Sequence, residues 1–530
     1  MVILFGNGEK RRENGTGPDW RERLSNGAGI CYDTHRIPQP DAKPDDCEKR
    51  KIRSVFMEKR FHLKEHGTTV RTEIMAGITT FMAMAYILMV NAGMFSNPFN
   101  DGTDVLGVSY GAIYIATAIS AVIGTVLIGL LSNLPLAQAS GMGLNAYFVY
   151  TVCVGIGLSY ANALVMVLVD GIVFVLLTVT GLRKLIFDAI PQSVKVAISA
   201  GIGLFIAFIG LQNAGIVVLN SSTLVSLASF NVFSGGVTWA QIFPMLLTII
   251  TVFAIGAMSK KKVKGAVLWG ILGSAVLYYV IGLLTVSGFY DTAIAPNLTS
   301  DFFGAFKDFG TQAVGKVFTE GFDFSAYISA NGTGAFIVMF VTSMLAFCMV
   351  DMFDTLGTLY GACACGNMLT PEGDVPNMDK AMLADAIATC CGAVCGTSTV
   401  TTFVESSAGV AEGGRTGLAS MATAALFFIA MFLAPVAQLI PTYACAAALI
   451  YVGVLMMANV RNIEWDDPAA AVVGFLTIAI MPLTYNISYG IAFGLISYVF
   501  IKTFTGKIKE VNAGTWIITV LFALMFFLTH

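Results

Sequence analysis

Charge is what this chain has least of. Asp, Glu, Lys and Arg make up 12% of its 530 residues, where a soluble domain carries about 25%. Hydrophobic residues take 56% instead, which excludes an ordinary soluble domain. About 20 apolar residues cross one hydrocarbon layer as a helix, so this chain holds enough for on the order of fourteen spans. An excess of basic charge is missing too. The formal net charge of -3 leaves no basic stripe of the kind phosphate backbones require, and this argues against nucleic acid as a partner. Histidine is confined to His35, His62, His66 and His530. None falls inside an apolar segment, which excludes a histidine proton relay and leaves carboxylates to carry any proton. The cysteines Cys153, Cys348, Cys363, Cys365, Cys390, Cys391, Cys395 and Cys445 lie in or beside apolar segments, where a free thiol packs as a small hydrophobe. No pair has the spacing and histidine partners of a zinc site, so no metal is expected.

The first 66 residues lack the short apolar core of a cleavable leader. Their polar, Arg/Lys-rich composition reads as a disordered cytoplasmic tail, and the run MEKRFHLKEHGTTVRTEIMAG reads as a natural beginning at Met57. Apolar segments follow near 72–95, 110–131, 138–157, 161–180, 194–215, 237–258 and 265–288, then near 333–362, 381–396, 400–413, 416–436, 441–459, 468–486 and 487–503. The fold class expected is therefore an all-α polytopic membrane protein of fourteen spans. A first repeat would cover 67–288, an extracellular loop 289–332, a second repeat 333–505, and a C-terminal segment 506–530. The stretch from Trp516 to Leu528 is too short to span comfortably and reads as interfacial or re-entrant. Cations collect in the tail, at Arg183, Lys184 and Lys195, in the run Ser259 to Lys264, at Lys380, Arg415 and Arg461, and from Lys502 to Lys509. By the positive-inside bias these mark one cytoplasmic side, with both ends of the core facing it.

Two segments are not simple apolar helices. QASGMGLNAYFVY (Gln138 to Tyr150) and GTSTVTTFVESSAGVAEGG (Gly396 to Gly414) are dense in Gly, Ser and Thr. In lipid such irregular backbone survives only where protein or a wet cavity satisfies its amides. They stand third and tenth in the count, corresponding places in two seven-span halves. Seven is odd, so the halves must be inverted, and broken helices at corresponding places point to a transporter site at the midplane.

Acids inside spans carry the chemistry, because a charge at the bilayer centre is costly unless it faces a cavity or a partner. Five stand out: Asp170, Asp351, Asp354, Asp385 and Glu405. No Lys or Arg shares their spans. Burial favours the neutral form of an acid, so a carboxyl placed there can hold a proton. Asp351 and Asp354, in FCMVDMFDTLGTLYG, are spaced to share a helix face; the alternative is that they cap or bridge helices. Glu405 sits in the second broken segment, and its alternative is a cap for the half-helix that follows. Asn145, in GMGLNAYF, offers one acceptor and two donors, or merely ties down irregular backbone. Asp170 and Asp385 lie in regular spans and read as structural. A flat heterocycle with N–H donors and ring acceptors suits this set, whereas converging carboxylates would repel an inorganic anion.

The runs TEIMAGITTFMAMAYILMVNAGM, ASGMGLNAYFVYTV, IPQSVKVAISAGIGLFIAFIGLQNAG, DMFDTLGTLYG and GTSTVTTFVESSAGVAEGGRTGL, in that order, resemble the AzgA-like branch of the nucleobase-ascorbate transporter superfamily. The likeness runs from about Met57 to Phe504. It implies adenine, guanine or hypoxanthine import by proton symport, with the proton as coupling ion and no other cofactor. It implies a core domain of spans 1–4 and 8–11, a gate domain of the rest, an elevator-like motion between them, and a homodimer. The base would sit between spans 3 and 10 on Asp354, Glu405 and Asn145. One of the two acids would hold the proton, Asp351 and Thr358 would support the site, and Gly143, Val404 and the Thr79–Met82 stretch with Thr80 would line it.

Two other readings use the same residues: an anion carrier of the sulfate-transporter type on the same inverted fold, or a membrane enzyme or channel. The last two need a catalytic constellation or a ring of pore-lining residues, and the sequence displays neither. Removal of residues 1–56 is expected to leave uptake intact; loss of uptake from the truncated chain at unchanged membrane level refutes the reading of that tail as dispensable.

Overall fold

The computed structural model describes residues 58, 60–100, 102–181, 190–231, 233, 236–295, 303–371 and 373–528. Most of the tail, including the expected start at Met57, and the cations Arg183 and Lys184 lie outside the described residues. The last residues assigned to the tail are packed. Phe61 and Leu63 are buried against Leu418 and Asn133 donates to the Phe61 carbonyl at 3.2 Å, because two apolar side chains in a polar stretch find cover there.

The first half runs α1 Val70–Met84, α2 Tyr86–Ser96, α3 Tyr110–Leu131, the short strand β1 Gln138–Ser140, α4 Met142–Ala146, which widens into a π-helical stretch over Tyr147–Gly155, then α5 Tyr160–Thr180, α6 Gln192–Asn213, α7 Trp239–Lys260 and α8 Ala266–Thr285. A hairpin of β2 Val217–Asn220 and β3 Leu224–Leu227 lies between α6 and α7. The second half runs α9 Thr333–Cys365, α10 Met378–Cys395, β4 Val400–Thr402, α11 Ser406–Ala411, α12 Gly417–Ala430, α13 Thr442–Met457, α14 Pro468–Thr484 and α15 Ile487–Phe504, followed by α16 Ala513–Leu528. Local chemistry sets several boundaries. The Ser109 and Ser159 hydroxyls accept from the backbone N–H groups of Ala112 and Asn162 at the starts of α3 and α5, the expected N-cap arrangement. The helices α5 and α10 stop at Gly181 and Gly396, whose φ values of 73° and 90° suit glycine.

Each of the fourteen apolar segments falls on one of these elements, and among the described residues ten are helices long and apolar enough to cross a membrane. The other four are the two interrupted segments, α14 with 17 residues, and α10, whose apolar content is diluted by Asp379, Lys380 and Asp385. The all-α expectation also needs two small antiparallel sheets, β1 with β4 and β2 with β3. The C-terminal helix α16 has 16 residues, about 24 Å at 1.5 Å per residue, and packs on α9 and α15.

Helix neighbours come in exchanged pairs across the two halves. Counting α1 and α2 as one span, α3 packs on α12 as α10 packs on α5; α1 packs on α12 as α9 packs on α5; α6 packs on α14 as α13 packs on α7; and α3 meets α10 while α6 meets α13. That is the contact pattern of two halves related by a two-fold axis. The spans are drawn close where small residues let backbones meet. At the α3–α12 crossing a Cβ on Gly417 would lie 2.0 Å from the Gly129 carbonyl oxygen. Glu73 of α1 is fully buried beside it and accepts from the backbone N–H groups of Arg415, Thr416 and Ala419 at 2.9, 3.3 and 3.2 Å, tying α1 to the start of α12. Gly417→Ala is therefore expected to lower the thermal midpoint of the purified protein by the equivalent of about 1–3 kcal/mol or more. Gly256→Ala, where a Cβ meets nothing within 4 Å, is expected to leave it unchanged.

Candidate functional site

The two interrupted segments meet. β1 and β4 pair antiparallel, Gln138 opposite Thr402, Ala139 opposite Thr401 and Ser140 opposite Val400. The pairing continues outward through Gly141 N–H to the Thr399 carbonyl and Phe403 N–H to the Ala137 carbonyl, both at 3.0 Å. Backbone that no helix satisfies is thereby satisfied inside the protein, as a nonpolar surround demands. Hydroxyls complete the job: Thr125 of α3 exchanges two hydrogen bonds of 3.0 Å with the Gln138 backbone, and the Ala137 N–H donates to Ser406 Oγ at 3.0 Å. Asn91 of α2 donates to Thr117 and Thr397 at 2.7 and 3.1 Å.

Beside this crossing lies a cavity of about 960 Å³, within the size range of small-molecule sites. Asp354 and Glu405 both line it, as do Gly143, Val404 and Thr358. The helix that carries Asp354 packs on β4, and the turn that carries Glu405 follows that strand. Glu405 sits at the N-cap position of α11 but makes no side-chain capping bond, so the capping alternative fails. Its Oε1 instead accepts from the Tyr86 hydroxyl at 2.6 Å. Tyr86 itself lines the cavity, with Phe353 and Phe403 supplying aromatic wall. From these acids the cavity extends toward the end of the bundle where α6 begins and α13 ends, at Gln192, Lys195, Asn459 and Asn462. A second, smaller hollow of about 390 Å³ opens among Asn97, Asn100 and Tyr443, near the other ends of these helices.

Two residues expected on the cavity wall, Asn145 and Thr80, lie off it, and Asp351, expected as support, lies behind it. Asn145 is fully buried; its amide donates to the Ser140 carbonyl at 3.4 Å and its oxygen accepts from the Ser398 hydroxyl, so it joins one broken segment to the other. Thr80 lies under α11, where a Cβ on Gly409 would collide with its hydroxyl, and span 1 reaches the cavity through Tyr86 instead of Thr79–Met82. Asp351 is buried behind the wall, approached by the Thr389 hydroxyl at 3.4 Å. Asp385 is also fully buried and more deeply engaged than its sequence neighbours foretell. It accepts from Gln138 Nε2 at 2.8 Å, Thr355 Oγ1 at 2.8 Å and Thr402 Oγ1 at 3.1 Å, joining β1, α9 and β4. Sequence reasoning missed Tyr86, whose signal is a polar-tipped aromatic inside an apolar span.

Fold and site together define a polytopic helical membrane protein with a pair of interrupted segments folded beside an acid-lined cavity. The chain belongs to the Permease family, whose model Xan_ur_permease matches residues 71–493, and within it to the AzgA-like nucleobase permeases. It is 39% identical to the guanine/hypoxanthine permease PbuG of Bacillus subtilis over 89% of this chain and 99% of that one. It is 34% identical to the adenine permease AdeP of Escherichia coli over 88% and 95%. The transmembrane domain of the cyanobacterial bicarbonate transporter BicA shares its fold, with a TM-score of 0.54 at 15% identity over 79% of this chain and 96% of that one.

Asp385→Ala leaves three buried donors without an acceptor, each unmet group costing about 1–3 kcal/mol. A clear fall in thermal midpoint is expected, with Asp385→Asn milder; an unchanged midpoint in the alanine variant would remove Asp385 from its place as the tie between the broken segments.

Proposed function

We propose that this protein is a secondary active transporter that imports purine nucleobases by proton symport. The observation that carries the reading is that Asp354 and Glu405, from two different elements of the second half, open on one cavity walled by aromatic rings, where Tyr86 and Gly143 of the first half meet them. A purine presents ring N–H groups as donors and ring nitrogens or a carbonyl as acceptors. Two carboxyls, the Thr358 hydroxyl and the open backbone near Gly143 and Val404 complement that pattern. Tyr86 holds the Glu405 carboxyl in one orientation before any ligand arrives, which lowers the ordering cost of binding. The names of the relatives, which pair this sequence pattern with adenine, guanine and hypoxanthine, support the same substrate class.

The finer parts belong to the same proposal. Fourteen spans form two inverted repeats, with the N-terminus cytoplasmic by the positive-inside bias. On that orientation Lys195 and Arg461 mark the cytoplasmic face, and the cavity is open toward it. Alternating access then requires the body that carries the two broken segments to slide against the α6, α7, α8, α13, α14 and α15 group, as a homodimer in the cell membrane. One of Asp354 and Glu405 holds the coupled proton.

One observation favours a second reading, transport of an anion: the cavity also has Lys195 on its wall, and the fold is shared with a protein described as a bicarbonate transporter. Competition decides between them. Labelled hypoxanthine uptake is expected to be reduced by unlabelled adenine and guanine and unaffected by sulfate or bicarbonate; the reverse result overturns the purine reading. Asp354→Ala and Glu405→Ala are each expected to abolish uptake while the protein remains in the membrane, and normal uptake in either removes that residue from the site. Tyr86→Phe, which deletes one hydrogen bond to a charged group worth about 1.5–3 kcal/mol, is expected to raise KM about tenfold or more, with a smaller effect on the maximal rate.

A further inference from the structure

Behind the cavity wall lies a second layer of acids that the purine cannot touch. Asp170 of α5, Asp351 of α9 and Asp385 of α10 are all fully buried, and none of them lines the cavity. Asp385 is satisfied by its three donors. Asp170 is not: neither of its carboxyl oxygens has a hydrogen-bond partner, and Oδ1 of Asp351 has none either. Gln138, which spends its amide N–H groups on Asp385 and Thr402, leaves its own oxygen unmet. The side-chain groups left wanting in this layer are chiefly acceptors.

The surroundings supply no positive charge. From α9 the groups that face Asp170 are the Cys348 thiol, a weak donor beside its carboxyl, and Asp351; from α10 they are Asp385 and Cys390. No Lys or Arg occurs in α5 or α9, and Lys380 sits in the first turn of α10, before Asp385. The helix Lys316–Thr319, packed on α5, carries Lys316, whose ammonium pairs with Glu320. The π-helical stretch, also against α5, brings only tyrosines and Cys153. Next to Asp170 the helices close to backbone contact: a Cβ on Gly171 would lie 2.9 Å from the Cys390 backbone nitrogen. Among the described residues no His, Cys, Asp and Glu group could hold a metal ion. A buried acceptor layer with neither counter-charge nor metal lacks one thing, hydrogen, and a carboxylic acid carries its own donor.

We propose that Asp170 is a proton-binding site separate from the carboxyls of the substrate cavity, and that its loading permits the substrate-carrying body to move. This rests on the reading of the protein as a proton-driven purine importer. Asp354 at the cavity and Asp351 behind it are one turn apart on α9, so the proton enters from cavity water by way of that helix face. The step is proton transfer alone: an O–H bond breaks at one carboxylic acid as one forms at the next carboxylate, and no other bond changes. A charged Asp170 anchors the body where it stands, since an unpaired anion is carried through a nonpolar layer only at great cost.

Proteoliposomes holding wild-type protein or Asp170→Asn test this with labelled hypoxanthine. Asparagine has the shape of the protonated acid and cannot release the proton. The variant is expected to keep exchange of internal for external hypoxanthine, to lose uphill accumulation under an inward proton gradient, and to ignore a protonophore. Accumulation at the wild-type level that collapses with a protonophore overturns the assignment. Equal loss of exchange and accumulation, with the variant present in the membrane, also overturns it and makes Asp170 structural. If Asp170→Asn does not reach the membrane, Asp170→Glu decides: a shifted pH of half-maximal uptake is expected, and an unmoved profile overturns the site. Wild-type protein that moves no purine sinks the importer reading and the Asp170 assignment together, whereas coupled wild-type uptake beside an unaffected Asp170→Asn removes Asp170 alone.

Discussion

The structure depends on one constraint, that two stretches of backbone too irregular for a helix must be satisfied where water is scarce. Pairing β1 with β4 does this with the smallest sheet available, three residues a side. A single interruption would have no partner in lipid, so the two have to occur in corresponding places of the two halves. Everything polar nearby follows from that crossing. The hydroxyls of Thr125, Ser406 and Thr397 and the amides of Asn91 and Asn145 serve backbone and neighbouring side chains around it. Asp385 binds the crossing to α9. The cavity then forms on one side because each segment passes from strand to helix there, which leaves a gap that continuous helices would fill with side chains.

The same constraint explains why small residues matter far from the cavity. Strands three residues long do not hold helices apart, so the spans on either side of them can approach until backbones meet, as α3 and α12 do at Gly129 and Gly417. Close crossings of this kind fix the position of the helices that carry the acids. Precision at Asp354 and Glu405 is thus set by packing several turns away.

What could be read from the sequence was what residue type and order encode. The two interruptions are visible because Gly, Ser and Thr crowd segments that ought to be apolar, and Asp354 and Glu405 are visible because acids are rare in spans. What depends on the third dimension was hidden. Asp385 has Ala384 and Ala386 beside it in sequence, and its partners Gln138, Thr355 and Thr402 come from three other elements. Glu73 looks like an ordinary first-turn acid until the start of α12 arrives to donate to it. Thr80 and Tyr86 lie in one apolar run but on either side of the helix break at Ala85, and the tyrosine reaches the cavity while the threonine does not. The hairpin of β2 and β3 follows from loop closure between α6 and α7, for which VVLN and LVSL gave only weak alternation. Ten of the fourteen expected segments are long apolar helices among the described residues, and the two interrupted ones divide into a strand and a short helix each.

Acids in the two layers differ in what neighbours do for them, and the difference assigns their roles. Glu405 has one donor and an open cavity, so it can trade water for a ligand. Asp385 has three donors and no access, so exchange would cost it all of them; it is a tie. Asp170 has no donor stronger than the Cys348 thiol and no access, an arrangement that a packed protein keeps only if the carboxyl is neutral or if the emptiness has a use. With no base in α5 or α9, the net charge of the body that holds these acids changes by protons alone, or by a ligand that carries charge. On the proposed reading the ligand is a neutral purine, and the number of protonated carboxyls then sets the charge that the moving body would carry through the nonpolar layer.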